Sequence, residues 1–165
     1  MIDLTGKREC FFDGTLVNDA RTTAEFLLHH PIRKNVVITH DKPWEGNSCD
    51  YHNILEDDGL YRMYYLGFEP FGHPVVVCYA ESKDGIHWEK PVLNICEFDG
   101  STENNIVLDK AHAGADIDNF MVFKDENPAC PPEKKYKGIL SLGRDGKHGL
   151  HYMYSADGIH FEYGD

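Results

Sequence analysis

The chain is 165 residues long, 41% hydrophobic and 12% aromatic, with a formal net charge of -12. That is the length of one domain and enough to hide roughly 70% of the unfolded surface. So acidic a chain lacks the clustered Lys and Arg that nucleic acid or an anionic membrane surface would require, and neither is expected as a partner. Five cysteines, Cys10, Cys49, Cys78, Cys96 and Cys130, are spread without a Cys-x-x-Cys pair, which reads as reduced thiols rather than a disulfide frame or zinc site. The N-terminal residues show no signal-peptide core, and no window approaches the ~20 apolar residues of a membrane span. A cytoplasmic protein is expected.

In chain order, residues 1–49 read as an N-terminal extended segment with short strands. "DARTTAEFLLHH" (19–30) suits either a short amphipathic helix or extended chain, and the extended form is preferred. A first four-stranded unit is expected over 50–91. It comprises "DYHNIL", an Asp57-Asp58-Gly59 hairpin, "LYRMYYLG", the nearly continuous apolar run "VVVCYAES", and a short strand after an Asp-Gly turn. Residues 92–117 read as a connecting loop with a short strand at "NNIVL". A second unit occupies 118–165.

The repeat is explicit. "SKDGIHWEK" from Ser82 recurs as "SADGIHFEY" from Ser155. In each, the glycine (Gly85, Gly158) can take positive φ, the aspartate (Asp84, Asp157) can accept from turn N–H groups, and the aromatic (Trp88, Phe161) can point back into the core. Two copies of a four-stranded antiparallel unit predict an all-β fold, a partial β-propeller of about two blades plus the N-terminal strand segment. A β-sandwich is the rival architecture.

The ten histidines include no His-x-His or His-Glu-x-x-His stretch, so no metal is expected. His87 and His160 recur in the repeat and read as structural or surface positions. Trp44-Glu45 sets an aromatic platform beside a carboxyl group, a pairing suited to a sugar face, although a core tryptophan has the same appearance. Asp116 and Asp118 share one face if the segment is a strand.

The stretches "GLYRMYYLG", "CYAESKDGIHWEKP" and "DNFMVFKDENP" resemble the five-bladed propeller glycosidases of glycoside hydrolase families 32, 43, 62 and 68. The resemblance runs from Phe11 onward. It implies carboxylates on the first strands of successive blades pointing into a central channel. Counting back nine residues from Gly59 makes Asp50 the first, and "IDNFMVF" makes Asp118 the second. Glu45 competes for the same role, with Trp44, Tyr51 and Asp116 as substrate-binding neighbours. The family's Asn-Asp-Pro and Arg-Asp-Pro stretches are not intact here, and no third blade with its Glu is present. The implied activity is hydrolysis of glycosidic bonds by carboxylate acid–base chemistry, incomplete in this chain. The alternatives are a non-catalytic carbohydrate-binding module using Trp44, Tyr51 and Tyr61, or an oligomer formed through exposed blade edges. No cofactor is expected; the family leaves room for a channel cation such as calcium, which no residue here indicates.

Overall fold

A computed structural model describes residues 5–6, 10, 13–144 and 147–164. The chain divides into two compact units, Met1–Asn35 and Val36–Asp165. In the first, the described residues form turns, closed by Val17 N–H to the Gly14 carbonyl and Arg21 N–H to the Asn18 carbonyl. Neither the expected strands nor a helix appears among the described residues before Pro43. "NDARTT" spends its polar groups on turns, and Pro31 lacks the N–H that a strand would donate to its neighbour.

The second unit is all-β. One antiparallel sheet holds β1 (Ser48–Asp57), β2 (Leu60–Phe68), β3 (Val76–Ser82) and β4 (Ile106–Leu108) in that order. After a one-turn helix, α1 (Lys110–Ala113), a second sheet holds β5 (Ile117–Lys124), β6 (Tyr136–Arg144), β7 (Lys147–Ser155) and β8 (Glu162–Tyr163). These are the two blade-like units of a partial propeller. The fourth strand of the first sheet comes from "NNIVL", not from the residues after the first Asp-Gly turn, which supply only a Glu81–Glu89 bridge. Among the described residues, no helix is long and apolar enough to cross a membrane.

The repeated turn forms twice with nearly the same bonds. The hydroxyl oxygen of Ser82 accepts from Gly85 N–H at 2.9 Å, and that of Ser155 accepts from Gly158 N–H at 2.9 Å. One carboxylate oxygen of Asp84 takes the N–H groups of Ile86 and His87, and Asp157 does the same for Ile159 and His160. Each histidine ring then closes on its aspartate through Nδ1, at 2.7 and 2.8 Å. Gly85 and Gly158 take φ of 72° and 78°, the left-handed conformation this turn needs.

Packing explains why β2 and β3 read as continuous apolar runs: they are covered on both faces. Between the sheets, Tyr64, Leu66, Val77 and Tyr79 meet Phe120, Val122, Tyr136, Leu140 and Met153. Phe161, from the second turn, stacks edge-on against Tyr64 and Phe120. On the far face of the first sheet, Met63, Tyr65, Cys78, Ala80 and Ile106 are covered by Ile38, Trp44, Trp88 and Phe98. The opposite face of the second sheet instead leaves Met121, Phe123 and Ile139 exposed.

Cross-sheet polar bonds set the alignment. Tyr64 donates its hydroxyl to the Gly158 carbonyl at 2.8 Å, and Arg62 donates to the Asp157 carbonyl at 3.0 Å. Asn53 Oδ1 on β1 accepts the Val122 N–H of β5 at 2.7 Å. Asp57, at the end of β1 and only 6% exposed, accepts from Lys124, Lys135 and the Tyr136 hydroxyl. Burial works to raise the Asp57 carboxyl, but these three donors outweigh it and hold the group well below the ordinary carboxylate range.

Candidate functional site

The inner strands β1 and β5 carry the same irregularity at the same place. In β1, Asp50 pairs with Leu66 and Asn53 with Tyr64, so Tyr51 and His52 together oppose Tyr65. In β5, Asp118 pairs with Ser141 and Met121 with Ile139, so Asn119 and Phe120 together oppose Leu140. Each is a β-bulge, two residues against one, set immediately after an aspartate. The residue following the aspartate is left-handed in both, Tyr51 at φ 53° and Asn119 at φ 54°. Asparagine tolerates this conformation, whereas a bulky tyrosine there is strained. Both bulges turn the aspartate outward: Asp50 and Asp118 are exposed, and neither has a hydrogen bond or ion pair among the described residues.

Two bonds join the strands that carry the bulges. Asn53 meets Val122 across a sequence separation of 69, and Asp57 meets Lys124 across 67. β1 and β5 therefore run in the same direction where they meet. Tyr51, 59% exposed, and the exposed Asn119 directly follow the aspartates in their bulges.

His52 lies on the bulge with its ring stacked on Tyr65, centroids 5.5 Å apart. Its Nε2 is 2.9 Å from Nε2 of His40, so one ring must present a bare nitrogen to the other's N–H. Burial, then the nearby His40, depress the His52 pKa against the opposing pull of Asp50.

The remaining sequence candidates lie elsewhere. Glu45 is 0% exposed. It accepts from Tyr65 at 2.6 Å, from Lys90 at 2.6 Å and from the Lys42 N–H at 2.8 Å. Burial pushes its pKa up, but Lys90 and the other donors bring the net value below the ordinary range. It anchors its short 3-10 turn (Pro43–Glu45) to the sheet, which approaches so closely that a Cβ on Gly67 would fall 2.8 Å from Glu45 Cα. Trp44 is half-buried against Phe98 and donates its indole N–H to Asn105 at 2.6 Å, so it presents no free platform. Asp116 is paired with Lys110 at 2.9 Å. Tyr61 opposes Ser82 at the turn end of the sheet, away from the bulge. The structure places Asp50 and Tyr51 at the bulge of β1 and Asp118 at the bulge of β5, and it leaves Glu45 and Trp44 in the packing of the first sheet.

The residues that sequence reasoning passes over are Asn53, Asn119 and His52. Asn53 and His52 are legible only as neighbours of Asp50, and the asparagine after Asp118 is the one local hint of a left-handed residue.

No family model matches the chain. It is 42% identical over 104 residues to the uncharacterized protein Rv1502 of Mycobacterium tuberculosis, covering 60% of this chain and 32% of that protein. A 48-residue match at 42% identity, covering 26% of this chain, links it to the uncharacterized protein MT1551 of the same species, of which it spans 16%. The chain thus spans about a third or less of the curated relatives it matches. Among solved structures it is similar to the Bombyx mori GH32 beta-fructofuranosidase BmSUC1, with a TM-score of 0.44 and 15% identity, over 70% of this chain and 22% of that one.

Proposed function

We propose that the chain supplies two of the carboxyl groups of a carbohydrate-active propeller, and that the intact site hydrolyses glycosidic bonds. The observation that carries this reading is the twin bulge: two kinks at the same place in β1 and β5, each directly after an exposed aspartate whose side chain has no partner among the described residues. Glycoside hydrolysis needs two carboxyl groups across one scissile bond, one acting on the leaving oxygen and the other on the anomeric carbon or an attacking water. Asp50 and Asp118 are that pair. Tyr51, exposed beside them, offers a ring face for a sugar. The resemblance of "DNFMVFKDENP" to the glycosidase propellers supports the same assignment. Glu45 is removed from the chemistry and becomes the anchor of the turn below.

The second reading is binding without cleavage, favoured because among the described residues two aspartates precede bulges where the resemblance implies three carboxyl groups. One experiment separates the two. Aryl glycosides and oligosaccharides are offered to the protein, and both hydrolysis and equilibrium binding are measured, with Asp50→Asn and Asp118→Asn alongside. The glycosidase reading expects turnover that drops by about 100-fold or more in each variant, with circular dichroism unchanged. Binding that survives without turnover, and that Tyr51→Ala abolishes, moves the assignment to a binding module. Saccharide neither bound nor cut overturns both.

A further inference from the structure

Away from the kinks, three side chains of metal-ligand type converge where α1 begins. Cys96 Sγ lies 3.5 Å from His112 Nδ1, and that nitrogen lies 2.7 Å from Asp109 Oδ1. All three ligand atoms fall within 4.8 Å of one another. The backbone holds them there firmly. Asp109 caps α1 by accepting the His112 N–H at 2.8 Å, which stacks the two residues one helical turn apart. The Cys96 carbonyl is tied to the Asn104 side chain at 2.8 Å, which places the thiol against the sheet with no exposure.

We infer that Cys96, Asp109 and His112 form a binding site for a zinc-like divalent cation, with one coordination position left open. A tetrahedral ion with a sulfur ligand at about 2.3 Å and a nitrogen ligand at about 2.0 Å sets those two atoms ~3.5 Å apart, which is the separation found. The Nδ1–Oδ1 hydrogen bond has to open by about half an ångström to admit the ion. A thiol, an imidazole and one carboxyl group is a donor set for a borderline-soft ion, and it is unlike the oxygen-rich cages of calcium and magnesium. On binding, the thiol releases its proton to solvent and the sulfur takes the metal in its place.

Asp109 also lines a cleft of about 320 Å3, together with His73, Glu97 and Phe98 among others.

The test is a cobalt(II) titration of the 165-residue chain with zinc(II) competition. A thiolate–cobalt charge-transfer band in the near ultraviolet, with tetrahedral visible bands saturating at one equivalent and removed by zinc, is the expected result. Cys96→Ser should abolish the charge-transfer band. His112→Ala alters a half-exposed side chain and should keep the fold while weakening binding more than about 100-fold. Cys130→Ser is the control and should leave the spectrum unchanged. Surface histidines give no sulfur band, so cobalt uptake without one overturns the inference. So does a band that persists in Cys96→Ser or disappears in Cys130→Ser.

Discussion

Asp57 clamps the first sheet to the second. Its side chain is almost fully buried, with Lys135 Nζ at 2.8 Å and with Lys124 and Tyr136 as further donors. Asp57→Asn removes the charge, keeps the shape, and turns an amide N–H₂ toward two ammonium groups. Breaking a buried ion pair costs ~3–5 kcal/mol. Both lysines retain partial access to water, Lys124 at 26% and Lys135 at 35% of the side chain, so the low end, about 3 kcal/mol, applies. For a chain of this length that corresponds to a fall in Tm of about 6–12 °C. Urea denaturation followed by far-ultraviolet circular dichroism reads it directly. The sign with pH is fixed by the depressed carboxyl. The stabilisation is present above the unfolded value of 3.8 and is lost as pH falls through the lower folded value. The gap between wild type and variant should therefore be full at neutral pH and narrow as pH is taken below 3.8. Asn53→Ala tests the companion clamp by leaving the buried Val122 N–H without its acceptor, at about 1–3 kcal/mol. A fall of less than about 2 °C for Asp57→Asn, or a gap that does not narrow in acid, would refute the clamp.

The bulges have two further measurable consequences. A non-glycine residue in the left-handed region carries about 1–2 kcal/mol of strain; glycine relieves it and gives part of that back in chain entropy. Tyr51→Gly should therefore stabilise the chain by about 0.5–1 kcal/mol, and Asn119→Gly by only a few tenths, roughly, because asparagine tolerates the conformation. Urea midpoints decide this, and a destabilised Tyr51→Gly would mean that the kink is relaxed. Acid should weaken the fold already as pH falls below about 6.5. His52, whose folded pKa is depressed, contributes stability that is present above its unfolded value and lost as pH falls below it. The groups facing it are His40, Tyr65 and Asp50. Protonating both imidazoles breaks their nitrogen–nitrogen bond. His52→Gln should flatten the dependence of Tm on pH in that window, and an unchanged slope would exclude this pair as its source.

The parts of the fold visible in the sequence are those specified by local chemistry. The Ser-x-Asp-Gly turn is readable because a left-handed glycine and a short acceptor side chain leave a fixed signature, and both copies form as expected. The doubly covered β3 is readable from its unbroken apolar run. The short strand at "NNIVL" is readable too, but its place as the fourth strand of the first sheet is not, since it lies in a connecting stretch and begins with two amides. Both are buried: Asn104 serves the Cys96 carbonyl, and Asn105 joins Tyr65, Tyr79 and Trp44. Partners 40 and 61 residues away leave no local trace. Glu45 shows the same limit in reverse. Beside Trp44 it looks like a sugar site, while the Lys90 that neutralises it lies 45 residues on. The Cys96, Asp109 and His112 cluster matches no spacing motif because its first ligand arrives from a separate loop.

The bulges explain why Asp50 and Asp118 could be paired by counting yet not justified by it. "CDYHN" and "IDNFM" share only the aspartate, and the kink falls on tyrosine in one and asparagine in the other. Backbone geometry repeats there while side-chain chemistry does not. The asparagine could adopt this conformation for local reasons. The tyrosine has no such reason, so the surrounding sheet must impose the kink on it. The connections between strands differ greatly between the two units, with two residues joining β1 to β2 and a Pro-rich stretch of eleven joining β5 to β6. The turn at one end and the kink at the other are nonetheless reproduced. A packing requirement alone would be met by regular strands, which bury Phe120 and Val122 as readily without an extra residue. What the extra residue changes is the aim of the aspartate before it, and for that reason the proposed chemistry is assigned to the bulge aspartates rather than to the buried Glu45.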